Sequence, residues 1–446
     1  MLISDPSRAW WCEQAWLPGG VVARNVRLDV SGDRLVAVTP DSPAGDARRL
    51  PGLTLPGFAN AHSHAFHRAL RGRTQRGRGT FWTWREQMYG VAARLDPDSY
   101  LALARATYAE MALAGVTCVG EFHYLHHQPG GTPYDEPNIM GAALTQAAAE
   151  AGIRITLLDT CYLAGGFDRP LEGPQLRFGD GTADAWAERA AALSPSDTVR
   201  VGAALHSVRA VPADQFAPVV EWADSRLARM HVHLSEQVAE NEQCRAEHGL
   251  TPTAVLAERG VLGPRTVAVH ATHLTDGDIG LLGSSRTGVC LCPTTERDLA
   301  DGIGPARRLA SAGSPLSLGS DSHAVINMLE EARAVELNER LSTQERGHFD
   351  ARDLLNMATS TGHAALCWPD AGRLAAGALA DFTTVRLDGP RTAGAGEYPA
   401  ETVVFAATGA DVTDVVVGGR EIVREGRHLR IPDVGRALDE AIGAVT

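Results

Sequence analysis

The sequence predicts an α/β fold: a (β/α)8 TIM-like barrel carrying a small β-sandwich domain built from both chain ends. Three observations predict it. Eight short, near-continuous apolar runs recur between residues 53 and 318, most of them separated by helical stretches. That is the pattern of parallel strands buried on both faces. The two chain ends read differently, as alternating strands joined by Gly-containing turns. Finally, no Gly-x-Gly-x-x-Gly follows the first apolar run, which argues against an open doubly wound sheet.

Taken in order, residues 21–30 and 33–38 form strand, Gly-Asp turn, strand. Leu53, Leu55 and the Pro56-Gly57 pair read as a short strand near 53–58 that opens the barrel. Asp98 is expected to cap a helix whose apolar positions include Leu101, Ala104, Tyr108 and Met111, stopped at Gly115. A strand follows at 116–122, then a helix over about 137–151 that ends at Gly152 and leads into a strand at 153–158. Further strands are expected at 199–205, 230–234, 266–269, 288–291 and 315–318, with long connections at 65–97 and 162–198. Residues 381–387 and 412–426 return to strands, with a hairpin turn at Gly418-Gly419, and 390–398 reads as loop. The expected division is 1–55 and 375–446 for the terminal β domain and 56–374 for the barrel.

Composition narrows the function. A net charge of -13 argues against a nucleic-acid binder, for which a basic stripe is expected. The opening residues lack a basic start followed by an apolar run, so no signal peptide is expected, and no stretch reads as a bilayer span. Seven scattered cysteines suit a reduced cytoplasm. Cys290 and Cys292 read as one face of a buried strand, with no second pair to complete a zinc site. The chain has no lysine, so a carbamylated lysine bridging two metals is impossible, and any metal site must use His, Asp, Glu or Cys.

The polar residues at the expected strand ends carry the chemistry. In extended backbone His62 and His64 point to the same side and can aim both imidazoles at one point. Neutral imidazole is a preferred ligand of divalent transition metals. Strand two delivers Glu121, His123 and Tyr124, and strand four His206, with Arg209 just beyond. Strand five carries His231, His233 and Glu236; strand six ends in His270, with His273 near; strand eight ends in Ser320-Asp321-Ser322-His323. Singly, each histidine reads as a structural residue and Asp321 as a helix cap. Gathered at the carboxyl ends of one barrel, where such folds place their chemistry, they read as a metal centre.

The segments Pro56-Gly57-Phe58-Ala59-Asn60-Ala61-His62-Ser63-His64, His231-Val232-His233-Leu234-Ser235-Glu236, Val269-His270-Ala271-Thr272-His273 and Leu318-Gly319-Ser320-Asp321-Ser322-His323, in this order, resemble the amidohydrolase superfamily. Within it, His62 to Phe66, Phe81-Trp82-Thr83-Trp84-Arg85-Glu86 and Leu205-His206-Ser207-Val208-Arg209 resemble the deiminases that hydrolyse N-formimino-L-glutamate in histidine degradation. The resemblance implies one zinc on His62, His64, His233 and Asp321, with iron or another divalent ion as a substitute. His231 shares a strand face with His233, which is chosen as nearer the carboxyl end and at the family position. Zinc would supply a nucleophilic water at neutral pH. Asp321 would accept its proton, His270 would steady the intermediate, and Glu236 would carry protons to the departing nitrogen.

The same resemblance implies a pocket for two carboxylates from Arg85, Arg209, His206 and Tyr124. Arg85 has a second reading, stacked on neighbouring indoles. His67 stands where many relatives have glutamine, and so adds a pH-sensitive group. The alternatives are a ring deaminase of the guanine or cytosine type, a chlorohydrolase, a cyclic-amide hydrolase like imidazolonepropionase, or a barrel that only binds. A homodimer is expected from the resemblance alone, with a small-molecule substrate and neither nucleic acid nor membrane as partner.

Overall fold

Eight strands pair side by side in chain order, all parallel: Phe58–Ser63, Val116–His123, Arg154–Cys161, Val199–Ser207, Met230–Leu234, Thr266–His270, Gly288–Leu291 and Leu316–Leu318. The computed structural model describes residues 8–76 and 78–446; residues 1–7, read above for a leader, lie outside it. The eighth strand returns to the first through a bridge between Ser63 and Asp321, where Asp321 N donates to His62 O at 3.0 Å. The result is a nearly closed barrel. A Cβ on Gly319 would lie 2.6 Å from the Cβ of His62, so glycine is what lets the last strand reach the first. Every residue of the second, third, fifth and sixth strands is buried, because strands face side chains on one side and covering helices on the other.

A second eight-stranded sheet takes its strands from both chain ends, in the order Arg427–His428, Arg420–Arg424, Val412–Val417, Phe382–Val385, Arg48–Pro56, Arg8–Leu17, Val21–Ser31 and Arg34–Thr39. It folds over its own core, which includes Trp10, Val26, Leu28, Leu35, Phe382 and Val416. Trp10 meets Phe382 edge-on at 5.4 Å. A buried ion pair joins this sheet to the barrel: Arg154, at the base of the third barrel strand, donates to Asp381 at 2.7 Å. Asp381 also accepts from Gly418 N at 2.6 Å. Removing one partner would leave a buried charge uncompensated, at a cost of about 3–5 kcal/mol.

Four local expectations change. Leu53 and Leu55 lie in Arg48–Pro56, paired with Val385 and Thr383 of the terminal sheet; the barrel begins beyond the Pro56-Gly57 turn, so His62 is itself a strand residue. Asp96 rather than Asp98 caps the helix Pro97–Leu113, accepting from Ser99 N. Pro97 takes the first helical position, where a missing N–H costs nothing, and leaves Asp98 inside the first turn. The long connection at 65–97 contains a helix, Phe81–Ala92, capped by Thr80, and that at 162–198 contains Ala183–Ala190. The strand Arg8–Leu17 had not been expected at all.

Candidate active site

His62 is the penultimate residue of the first barrel strand and His64 lies just beyond it, while His233 sits in the fifth strand and Asp321 just past the eighth. Barrel closure brings them together from positions far apart in the chain. His62 Nε2 and His64 Nε2 each lie 3.5 Å from Asp321 Oδ1, and His233 Nε2 lies 3.1 Å from His62 Nε2. Four ligand atoms around a tetrahedral zinc, at about 2.0–2.1 Å from it, stand roughly 3.3 Å from one another. The observed separations therefore fit one such ion. The tautomers fit as well. His64 Nδ1 lies 2.9 Å from Phe122 O and His233 Nδ1 lies 3.0 Å from His206 O. Each carbonyl accepts the Nδ1 proton, which leaves Nε2 as a lone pair aimed at the common point. Burial lowers the pKa of His62, His64 and His233, so the imidazoles are neutral, as ligation requires. Phe122 packs against His233 at 4.3 Å and His62 at 5.1 Å, which fixes the rings from behind.

Beside this set stand Glu236 and His270. His270 Nε2 lies 3.9 Å from Glu236 Oε1 and 3.7 Å from Asp321 Oδ2, and its Nδ1 lies 3.5 Å from Glu296 Oε1. Burial alone would lower the pKa of His270, but Glu236, Glu296 and Asp321 surround it and raise it well above the ordinary value. Burial raises Glu236, so the carboxyl holds a proton at neutral pH. Burial also works to raise Asp321, yet its hydrogen bond and charge interaction with His62, and the charges of His270 and His67, hold it below the usual carboxylate range. The centre thus pairs a carboxylate that stays ionised with a carboxyl that stays protonated. Such a split separates base from acid.

A cavity opens outward from these groups, lined by His67, Arg85, Tyr124, His206 and Arg209, all five of the residues expected to contact substrate. His67 Nε2 and Tyr124 Oη lie 3.0 Å apart. Burial pushes His67 down to about 3, so it is a neutral hydrogen-bonding group rather than the pH-sensitive one expected. Arg85 lies over Trp82 at 4.4 Å and Tyr89 at 5.6 Å, so it stacks and lines the cavity at once. Arg209 presents a buried Nη1 with no hydrogen-bond partner. Several expected mouth residues turn elsewhere, His323 among them, between Ser63 and Ser320. Glu121 accepts from Ala65 N behind the first strand; His123 packs against Tyr100 and His126; His231 Nε2 lies 3.1 Å from Ala365 O. Glu121 and His123 flank Phe122, and since Phe122 faces the imidazoles, its neighbours face away. Cys290 is a strand residue as expected, but Cys292 caps the following helix and its sulfur falls within 4.8 Å of ligand atoms of His270 and Asp321.

The sequence profile of the Amidohydrolase family matches residues 53–422. This chain belongs to that family. The amidohydrolase is 37% identical to a formimidoylglutamate deiminase of Pseudomonas aeruginosa, over 98% of this chain and 99% of that protein. It is 31% identical to an 8-oxoguanine deaminase of the same species, over 92% and 90%. Among solved structures it superposes on an amidohydrolase from Brucella melitensis with a TM-score of 0.91 and 33% identity, covering 98% and 99% of the two chains. It is a hydrolase of carbon–nitrogen bonds.

The amidohydrolase has a second His–Asp group, His123, His126 and Asp159, behind the second and third strands. Arg189 occupies both Asp159 oxygens at 2.8 and 3.0 Å, so a cation there would have to displace a guanidinium. Sequence reasoning missed Tyr162, Tyr89 and Glu240, which also line the cavity. Tyr162 directly follows the third strand, and that position alone could have pointed to it.

Proposed function

We propose that this amidohydrolase hydrolyses N-formimino-L-glutamate to N-formyl-L-glutamate and ammonia, a step of histidine degradation, with a divalent ion, zinc in the first instance, held by His62, His64, His233 and Asp321. The observation that carries the substrate is the cavity wall: the two guanidiniums Arg85 and Arg209 open onto the same space as the His–Asp set, and the Arg209 Nη1 is buried without a partner. A buried donor left unmade is costly, and a carboxylate accepting from it recovers that cost. The 37% identity to a formimidoylglutamate deiminase supports the same reading.

The ion would supply Lewis acidity and a nucleophile at neutral pH. The remaining work falls to side chains. Asp321, held ionised, takes the proton of the attacking water. His270, beside Asp321 and Glu236, donates toward the attacking oxygen, orienting it toward the formimino carbon and steadying its charge as it gives up its proton. Glu236, held protonated, delivers its proton to the imino nitrogen, and the proton taken up by Asp321 follows it to the same nitrogen; the C–N bond breaks, ammonia leaves, and the hydroxyl on the carbon returns its proton to Glu236 as the water oxygen becomes the formyl C=O. Arg85, Arg209, Tyr124, His206 and His67 orient the glutamate carboxylates. All seven cysteines are free thiols, consistent with a cytoplasmic enzyme, and a homodimer of the 47.3 kDa chain is the expected assembly.

A ring deaminase is the second reading, favoured by the aromatic lining of Trp84, Tyr124, Tyr162 and Phe178, on which a base could stack. Ammonia release from zinc-loaded protein separates the two. Formiminoglutamate should give a kcat/KM at least about 100-fold above guanine, cytosine, 8-oxoguanine and methylthioadenosine; a base turned over faster than formiminoglutamate would replace the proposal.

A further inference from the structure

A buried chain of hydrogen bonds runs along the seam where the barrel closes, on the side of the first and eighth strands away from the cavity. Asn60 Nδ2 donates to Ser320 Oγ at 2.7 Å, and its Oδ1 accepts from Ser320 N at 2.9 Å, which fixes the amide orientation. Ser320 Oγ lies 2.9 Å from His323 Nδ1, and His323 Nε2 lies 3.1 Å from Ser63 Oγ. Ser63 Oγ donates to Glu121 Oε2 at 2.7 Å, and Glu121 Oε1 accepts from Ala65 N at 2.6 Å. Asn60, Ser63, Glu121, Ser320 and His323 are all fully buried.

The Asn60 end of this chain sets its polarity. Because Ser320 Oγ already accepts from the Asn60 amide, its own proton goes to His323 Nδ1. With Nδ1 accepting, the ring proton lies on His323 Nε2 and is donated to Ser63 Oγ, which in turn donates to Glu121 Oε2. His323 is therefore one defined tautomer, an acceptor toward the eighth strand and a donor toward the first. Alongside the direct Asn60–Ser320 bonds and the backbone bridge, His323 ties together the two residues that flank the ligand positions: Ser63 lies between His62 and His64, and Ser320 immediately precedes Asp321. His323 holds a left-handed φ of 57°, and Arg71 Nε donates to its carbonyl at 2.7 Å, so the turn that presents the imidazole is itself anchored.

We propose that His323 is a positioning residue that clasps the segment bearing His62 and His64 to the segment bearing Asp321, and so sets how tightly the metal is held. This rests on the metal centre proposed above but not on its substrate. Outer partners of metal ligands are worth about 10–100-fold in metal affinity.

The test is zinc affinity of the full-length protein, measured by competition with a chromophoric chelator, together with melting temperatures with and without zinc. His323→Leu cuts the chain at its centre, and Ser63→Ala cuts it one link away should the first variant fail to fold. Each is expected to weaken zinc binding at least tenfold and to shrink the zinc-dependent rise in melting temperature. His323→Gln, which keeps a donor toward Ser63, is expected to recover part of the loss. Affinities within twofold of wild type in the variants that fold, or a rise in melting temperature as large as in wild type, would overturn the clasp. A wild-type protein that takes up no zinc would instead overturn the metal centre, and the clasp with it.

Discussion

Glu236 reaches the centre from just beyond the fifth strand, its carboxyl 3.9 Å from His270 Nε2 and kept protonated by burial. It stands near the proposed ligands without belonging to them. Glu236→Gln should therefore leave zinc content at the wild-type level and reduce turnover by about 100- to 10,000-fold, the usual worth of a positioned acid or base. Metal analysis beside steady-state kinetics checks this, and unchanged turnover would remove Glu236 from the mechanism. At this scale the sequence was legible where chemistry needs a residue type at a fixed spacing, as in His62 and His64 or His233 and Glu236. It was not legible where the facing depends on strand phase. Glu121 and His123 looked like mouth residues, but Phe122 took the inner face and turned both outward.

The elements that carry the site end in strained backbone. Ser235, His270, Ala271, Asp321 and His323 all hold positive φ, between 42° and 69°. Left-handed conformations at non-glycine residues cost of order 1–3 kcal/mol each, and here they re-aim side chains at the strand ends. Gly319 answers the opposite need, close approach, since a Cβ there would meet His62 at 2.6 Å and the His62 backbone at 2.9 Å. Gly319→Ala should lower stability by at least about 2 kcal/mol and weaken metal retention, because the clash pushes His62 and Asp321 apart. Thermal unfolding and chelator competition measure both, and an alanine variant with wild-type values would show that the seam can relax. Elements were readable wherever period and caps agreed, as in Ile139–Ala151 ending at Gly152 with φ 88°. The strand Arg8–Leu17 escaped because a bulge between Cys12 and Gln14 breaks its alternation. Phe81–Ala92 escaped because its aromatic residues do not keep to one helical face.

Across the whole molecule, burial of ionisable groups gives the metal-free protein a pH signature. Burial pushes Glu121 up to about 7 and Glu331 well above the carboxylate range. A carboxyl with a raised folded pKa contributes stability that is full below the unfolded value near about 4.3 and is lost as pH rises through the folded one. Buried histidines act in the other direction. His126 is pushed down to about 4 and His231 to about 3, so they cost stability as pH falls below their unfolded value and contribute no slope above it. Above about pH 6.5 the carboxyls act, joined by His270, whose raised pKa likewise gives stability that is lost as pH rises. Calorimetry of the chelator-treated protein should therefore show a melting temperature that falls from pH 6.5 to pH 8, and a rise over that interval would contradict the assignment. No helix among the described residues is long and apolar enough to cross a membrane. The barrel's order was legible at this scale because parallel, fully buried strands read as repeated apolar runs. The boundary with the terminal sheet was less so, because Leu53 and Leu55 are as apolar as the barrel strand that follows.

The account depends on four side chains gathered around one cation. The most direct measurement is an anomalous difference map from crystals of zinc-loaded protein. One peak per chain is expected, about 2.0–2.2 Å from His62 Nε2, His64 Nε2, His233 Nε2 and an Asp321 carboxylate oxygen. No peak there, or the principal peak at His123, His126 and Asp159 instead, would contradict it.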